Sequence, residues 1–176
     1  MRQPSGFTLV ELIVYTGIVA ILLSVISGIN QNLQTYLRRS RVYSDVQRNF
    51  SLIANRLTLE IRGARDIGIG QSVFGTNPGK LSLVTADTLL NPTVFETTDA
   101  SGRTVLTIRQ GTGPSYALAG NTITVDTLLF YNLSSPSGKS KTVGFVLGVR
   151  YYNPGNLDDL QYRFVATSSV QLLDTL

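Results

Sequence analysis

One acidic side chain stands where an acid is expensive. Glu11 sits at the head of an uncharged run, Leu12 to Ile29, made of apolar and small residues. A carboxylate costs on the order of 2.5–3.5 kcal/mol at the centre of a membrane helix and less near its end. Such a group calls for a cationic partner. The nearest in sequence is Arg2, nine residues away across Pro4 and Gly6, which makes it a poor helical partner. The chemistry open to Glu11 is ion pairing in an apolar medium.

Other reactive constellations are scarce. The chain has no cysteine and no histidine. That excludes a disulfide framework, a thiolate nucleophile, a Cys/His zinc site and a histidine base. Gly68-Ile69-Gly70 and Gly111-Thr112-Gly113 lack the Lys-Ser/Thr or third glycine of a phosphate loop. Asp158 and Asp159 could contribute to a calcium site, but two adjacent carboxylates in a turn are ordinarily solvated. No metal ligand set, cofactor or nucleophile–base pair is assigned, and no enzymatic activity is expected. Arg150-Tyr151-Tyr152 and Tyr162-Arg163 interleave cations with rings that could stack on single-stranded nucleic acid; the plainer reading is residues on a sheet face. Asn49-Phe50-Ser51 and Asn132-Leu133-Ser134 match a glycosylation sequon by short pattern only.

The elements that position Glu11 can be read from periodicity. Leu12 to Ile29 meets the length threshold for a transmembrane helix, and its roughly eleven Leu, Ile and Val residues favour insertion by several kcal/mol. No proline occurs between Phe7 and Arg65. A heptad stripe continues through Tyr36, Tyr43, Phe50, Leu57 and Ala64, with Leu33, Ala54 and Ile61 offset by four and Val46 and Ile53 broadening the face. The spacing predicts one helix from Phe7 to about Gly63, with Gly63, Gly68 and Gly70 as stop signals. The net charge of +4 is concentrated here, in Arg38, Arg39, Arg41, Arg48, Arg56, Arg62 and Arg65. These lie mostly off the stripe and read as a solvated face.

Beyond Gly68 the pattern turns to β-branched and aromatic runs separated by Gly, Pro, Asn and Ser. Strands are expected at Leu81–Thr85, Thr104–Arg109, Thr122–Val125, Leu128–Asn132, Thr142–Tyr152, Gln161–Thr167 and Val170–Leu173. The fold class is α+β: a long N-terminal helix, transmembrane in its first half, packed on a C-terminal antiparallel sheet. The divisions are a leader (1–6), a transmembrane half-helix (7–29), an amphipathic half-helix (30–66) and a β-rich domain (67–176).

The string Gly6-Phe7-Thr8-Leu9-Val10-Glu11-Leu12 resembles the class III signal of type IV prepilins and type II secretion pseudopilins. The resemblance implies an unprocessed precursor that a membrane prepilin peptidase cuts between Gly6 and Phe7. Phe7 would then be the N-methylated terminus, and Glu11 would pair with a neighbouring subunit's terminal amine. Two charges that are each costly in lipid would neutralise one another. Residues 7 and 11 could also meet within one helix, so spacing alone does not distinguish the two pairings. Arg56-Leu57 through Glu60-Ile61-Arg62-Gly63-Ala64-Arg65 bears a softer similarity to J-type pseudopilins and W-type minor pilins.

The function these features imply is that of a minor pilin or pseudopilin, a subunit of a pilus, type II secretion or DNA-uptake filament. Its partners would be other pilin-like subunits, the peptidase, an inner-membrane assembly platform and membrane lipid, with nucleic acid the least supported. Its C-terminal domain would lie outside the cytoplasm, first on a single membrane span and then in a cell-surface or periplasmic filament. Arg38, Arg39 and Arg41 pull the other way, because the positive-inside rule places the basic flank in the cytoplasm. Two rival readings are a secretory signal cleaved after Ser27 and a membrane-anchored binding module that never polymerises. Neither gives Glu11 a purpose.

Overall fold

The computed structural model describes residues 8–138 and 140–173. The chain divides into two compact units, Met1–Ser40 and Arg41–Leu176. Helix α1, Leu9–Gly63, begins in the first and ends in the second. Phe7, expected at its head, lies outside the described residues.

In the first unit, no described residue is buried. Leu9, Ile13, Ile21, Leu33 and Tyr36 are all more than half exposed. This stretch is long and apolar enough to cross a membrane. Two of the hydroxyls in its apolar part are satisfied internally. Thr16 Oγ1 donates to the Leu12 and Ile13 carbonyls at 3.0 Å, and Ser24 Oγ donates to Ala20 at 2.9 Å. Such back-bonding occupies donors that lipid would leave bare. The helix runs unbroken through Gly28, where the ladder is not interrupted by proline.

In the second unit, α1 buries Val42, Val46, Ile53, Leu57 and Ile61, one face of a 3.6-residue period. The expected face holds at Val46, Ile53, Leu57, Ile61 and Ala64, all buried, while Tyr36 and Tyr43 on its heptad line are 70% and 46% exposed, so its centre lies at Val46 and Ile53. Tyr43 and Phe50 flank that face, and their rings meet Tyr162 and Phe164 at centroid distances of 4.8 and 4.7 Å. The helix ends at Gly63. The Leu173 amide reaches the Arg62 carbonyl at 3.0 Å, and Lys141 Nζ reaches the Arg65 carbonyl at 3.3 Å. The first donor serves a helix carbonyl that has no partner inside the helix, and the second ties down the chain two residues beyond it.

Two antiparallel sheets replace the single one expected. The first joins β1 (Asp66–Ile67), β2 (Leu81–Val84), β3 (Thr93–Ala100), β4 (Arg103–Gln110) and β5 (Ser115–Ala117) in chain order. The second joins β6 (Ile123–Asn132), β7 (Thr142–Tyr151) and β8 (Arg163–Gln171). One core gathers Phe95, Phe130, Phe145, Leu81, Leu106 and Leu147 beneath the buried face of α1. The strand expected at Thr122–Val125 and that at Leu128–Asn132 are one strand, β6, with a register shift between Val125 and Thr127. The expected Gln161–Thr167 and Val170–Leu173 strands are likewise one strand, β8.

Two sets of hydrogen bonds are among the contacts that hold the sheets together. The Thr124 hydroxyl accepts the Thr104 amide at 3.0 Å and donates to the Thr104 carbonyl at 3.1 Å, tying β4 to β6. The loop after β1 covers the free edge of β6: the amides of Gly75 and Gly79 donate to Phe130 and Leu128, and the Leu128 amide donates to Asn77 Oδ1. A covered edge offers no template for unwanted strand pairing. A Cβ on Gly79 would come within 3.1 Å of the Leu128 carbonyl oxygen, so a larger residue would have to push this contact apart by a few tenths of an ångström.

Candidate functional site

The leader-cleavage pair Gly6 and Phe7, and with it the N-methylation position Phe7, lies outside the described residues. Glu11 lies within them, exposed in the first turn of α1. Its carboxylate has no ion pair among the described residues.

The structure adds a residue that the sequence reading overlooked. Thr8 caps α1. Its Oγ1 accepts the Glu11 amide at 3.3 Å, and its carbonyl accepts the Leu12 amide at 3.2 Å. Thr8-Leu9-Val10-Glu11 therefore has the Thr-x-x-Glu order of a capping box. The threonine occupies a donor that the helix start cannot satisfy by itself. An anionic residue in the first turn also complements the positive end of the helix dipole. Glu11 is thus held at a fixed place, three residues into a capped helix. The signal was legible in Thr8 and Glu11 and went unread because Glu11 was weighed only as a charge.

The basic and aromatic residues of the β domain partly converge. Arg150, Tyr151, Tyr162 and Arg163 line one cleft of about 320 Å³ at the β7–β8 connection. Arg150 and Arg163 are cross-strand partners in register. Arg163, however, is ion-paired to Asp126 and donates to Thr127 Oγ1 at 2.9 Å. Tyr162 packs on Tyr43, and burial together with that neighbour raises its phenol pKa. Tyr152 instead donates its hydroxyl to the Ser101 carbonyl. One cation and one ring of the set are thus already committed, which leaves little of the stacking platform a nucleic acid would need.

The remaining sequence candidates are structural in setting. Asp158 accepts from Gln161 in a short 3₁₀ turn, and the side chain of Asp159 is not among those described. Among the described residues no three carboxylates gather into a cation site. Asn49 uses both ends of its amide, donating to the Asp45 carbonyl and accepting the Gly120 amide. It is fixed in the fold rather than free as a glycosylation acceptor.

Comparison with known proteins agrees with the N-terminal reading. Residues 1–27 match the family model described as the prokaryotic N-terminal methylation motif. No curated protein and no solved structure matches the chain. The match covers Gly6, Phe7, Thr8 and Glu11 and runs into the exposed apolar part of α1, a combination that fits membrane anchoring. The chain therefore carries the type IV pilin class III signal at residues 1–27, running into a long helix, apolar in its first part and packed at its far end on antiparallel β-sheets, and this supports a type IV pilin-like precursor.

Proposed function

We propose that this protein is a minor pilin or pseudopilin, a structural subunit that starts or joins a type IV pilus-like filament. The observation that carries the reading is the methylation motif running into an apolar helix with no buried side chain among the described residues of its first unit. Such a helix has lost nothing to intramolecular packing. Its surface is suited to lipid and then to like helices.

In this reading the peptidase cuts between Gly6 and Phe7, and Phe7 is N-methylated. The helix moves laterally from the membrane into a helical bundle. Glu11, set by the Thr8 cap, pairs with the terminal amine of a neighbour. The pair removes two charges that lipid or a filament core would penalise separately.

The test is the mass of the mature N-terminus, with and without a co-expressed prepilin peptidase. A terminus at Phe7 carrying one extra methyl supports the reading. A terminus at Gly28, or an intact Met1 in the presence of the peptidase, refutes it. Glu11→Gln keeps a residue able to complete the capping box but removes the charge. That variant should insert into membranes and fail to assemble; filament yield equal to wild type would remove the assembly role of Glu11.

A further inference from the structure

The face of α1 that turns away from the core has a pattern of its own. Within the second unit, Arg41, Arg48, Leu52, Asn55, Leu59 and Arg62 are all exposed. At about 100° per residue they fall in one band about 100° wide, on the side of the helix away from buried Val46 and Leu57. A lone exposed leucine is ordinary. Here Leu52 and Leu59 are 54% and 65% exposed and stand about 10.5 Å apart along one line, the start of a seam. The side chains of Arg41, Arg48 and Arg62 form no ion pair or hydrogen bond among the described residues. Arg56, at the border of the band, is neutralised by Glu60 at 2.7 Å. Asp45 is the band's one acid, so its charge is positive on balance.

Spacing and charge together specify what covers this face. Positions seven residues apart drift by only about 20° per heptad, so a second helix crossing at about 20° can follow them for several turns. A second copy is a poor candidate for that helix. Laid parallel and in register, it sets Arg48 against Arg48; laid antiparallel about the middle of the band, it sets Arg41 against Arg62. Like charges meet either way, which opposes self-pairing. A helix with leucine or isoleucine in its seam and carboxylates beside it meets apolar with apolar and cation with anion. The arginine fork matches a carboxylate through paired donors.

We propose that Arg41, Arg48 and Arg62, together with Leu52 and Leu59, dock an acidic amphipathic helix of a different protein. The docking needs neither leader processing nor polymerisation. Within the filament reading, it makes the neighbour on this face a different, acidic subunit rather than a second copy.

The experiment uses the full-length chain in uncharged maltoside micelles. The probes are two fluorescent peptides of about 28 residues, long enough to be helical alone, with one leucine seam flanked by glutamates or by lysines. Anisotropy, corrected for empty micelles, reads binding. Wild type should prefer the glutamate peptide by roughly tenfold or more. R41Q/R48Q should erase that preference, R41E/R48E should invert it, and L52S/L59S should weaken glutamate-peptide binding by roughly tenfold. All four side chains are exposed, and near-ultraviolet circular dichroism checks that each variant keeps the wild-type fold. Equal binding of the two peptides by wild type overturns the docking face. So does a preference that survives both arginine variants, or binding undiminished in L52S/L59S. Efficient disulfide cross-linking of N55C to itself in membranes also overturns it, because a second copy would then cover the face; the chain has no cysteine of its own to confuse the result. The mature N-terminus separates the two readings: an unprocessed Met1 with selective binding refutes the filament reading alone, and processing at Phe7 without binding refutes the docking face alone.

Discussion

Replacing Gly148 with alanine tests the tertiary logic of the β domain. Arg163 on β8 reaches over β7 to Asp126 and Thr127 on β6, so a clasp joins the two outer strands across the central one. Gly148 is the β7 residue beneath that clasp. A Cβ there would stand 2.6 Å from Asp126 Oδ1, 2.9 Å from Thr127 Cβ and 3.0 Å from Thr127 Oγ1. The carboxylate cannot swing away without releasing Arg163, and a branched Cβ cannot swing at all. The overpacking should cost about 2 kcal/mol, within the range for small-to-large changes in a packed site. Loss of the ion pair adds at most about 1 kcal/mol, because Arg163 is more than half exposed and water screens it. For a unit of this size the melting temperature should fall by roughly 5–10 °C. The assay is thermal unfolding of the full chain in detergent, followed by near-ultraviolet circular dichroism, which reports tertiary packing. If the Asp126 contact is a cause, Asp126→Ala and Gly148→Ala should couple, the double variant losing less than the sum. Additive losses, or a Gly148→Ala protein as stable as wild type, would refute the argument.

Two further predictions concern the ends of α1. Thr8→Ala should weaken the helix start by about 1 kcal/mol and speed amide exchange at Val10 and Glu11, while Glu11→Gln should leave that exchange nearly unchanged. Nuclear magnetic resonance of the micelle-bound chain checks both. At the other end, the Ile67 amide, followed by Lys141, holds the Asp66 carboxyl below the usual carboxylate range. A depressed folded pKa means the stabilisation is present above about pH 4 and is lost as pH falls through the folded value. Asp66→Asn should therefore flatten the acid limb of stability below about pH 4, without changing its neutral-to-alkaline shape. An unchanged acid limb would show that Asp66 is not coupled to folding.

Short-range patterns were the most legible. The Gly-Phe-Thr-Leu-Val-Glu string, the uncharged run behind it, the absence of proline and the stop at Gly63 are all properties of neighbouring residues. The first unit is a single stretch of helix none of whose described side chains is buried, so its local pattern describes it almost completely. The same locality made the Thr8 cap readable in principle.

What escaped the sequence depended on residues far apart in the chain. β3 was missed because Thr93, Val94 and Phe95 are buried at one end while Glu96, Thr98 and Asp99 weaken its alternation. Its clue was the turn at Ser101 and Gly102, both with positive φ, which calls for paired strands on either side. β6 looked like two strands because the extra residue at Asp126 breaks the period of two, and only pairing with β7 shows a bulge. Nothing local to Asp126, Gly148 or Arg163 links those positions. Likewise the centre of the buried helix face, at Val46 and Ile53 rather than Tyr43 and Phe50, was settled by where Tyr162 and Phe164 stand. Sequence by itself determined the signal, the helix and the alternation of strands, since backbone geometry and hydrophobic period act over a few residues. Tertiary structure alone decided the two sheets, the clasp and the helix register, because packing and hydrogen bonding between distant segments select among faces that local pattern leaves nearly equivalent.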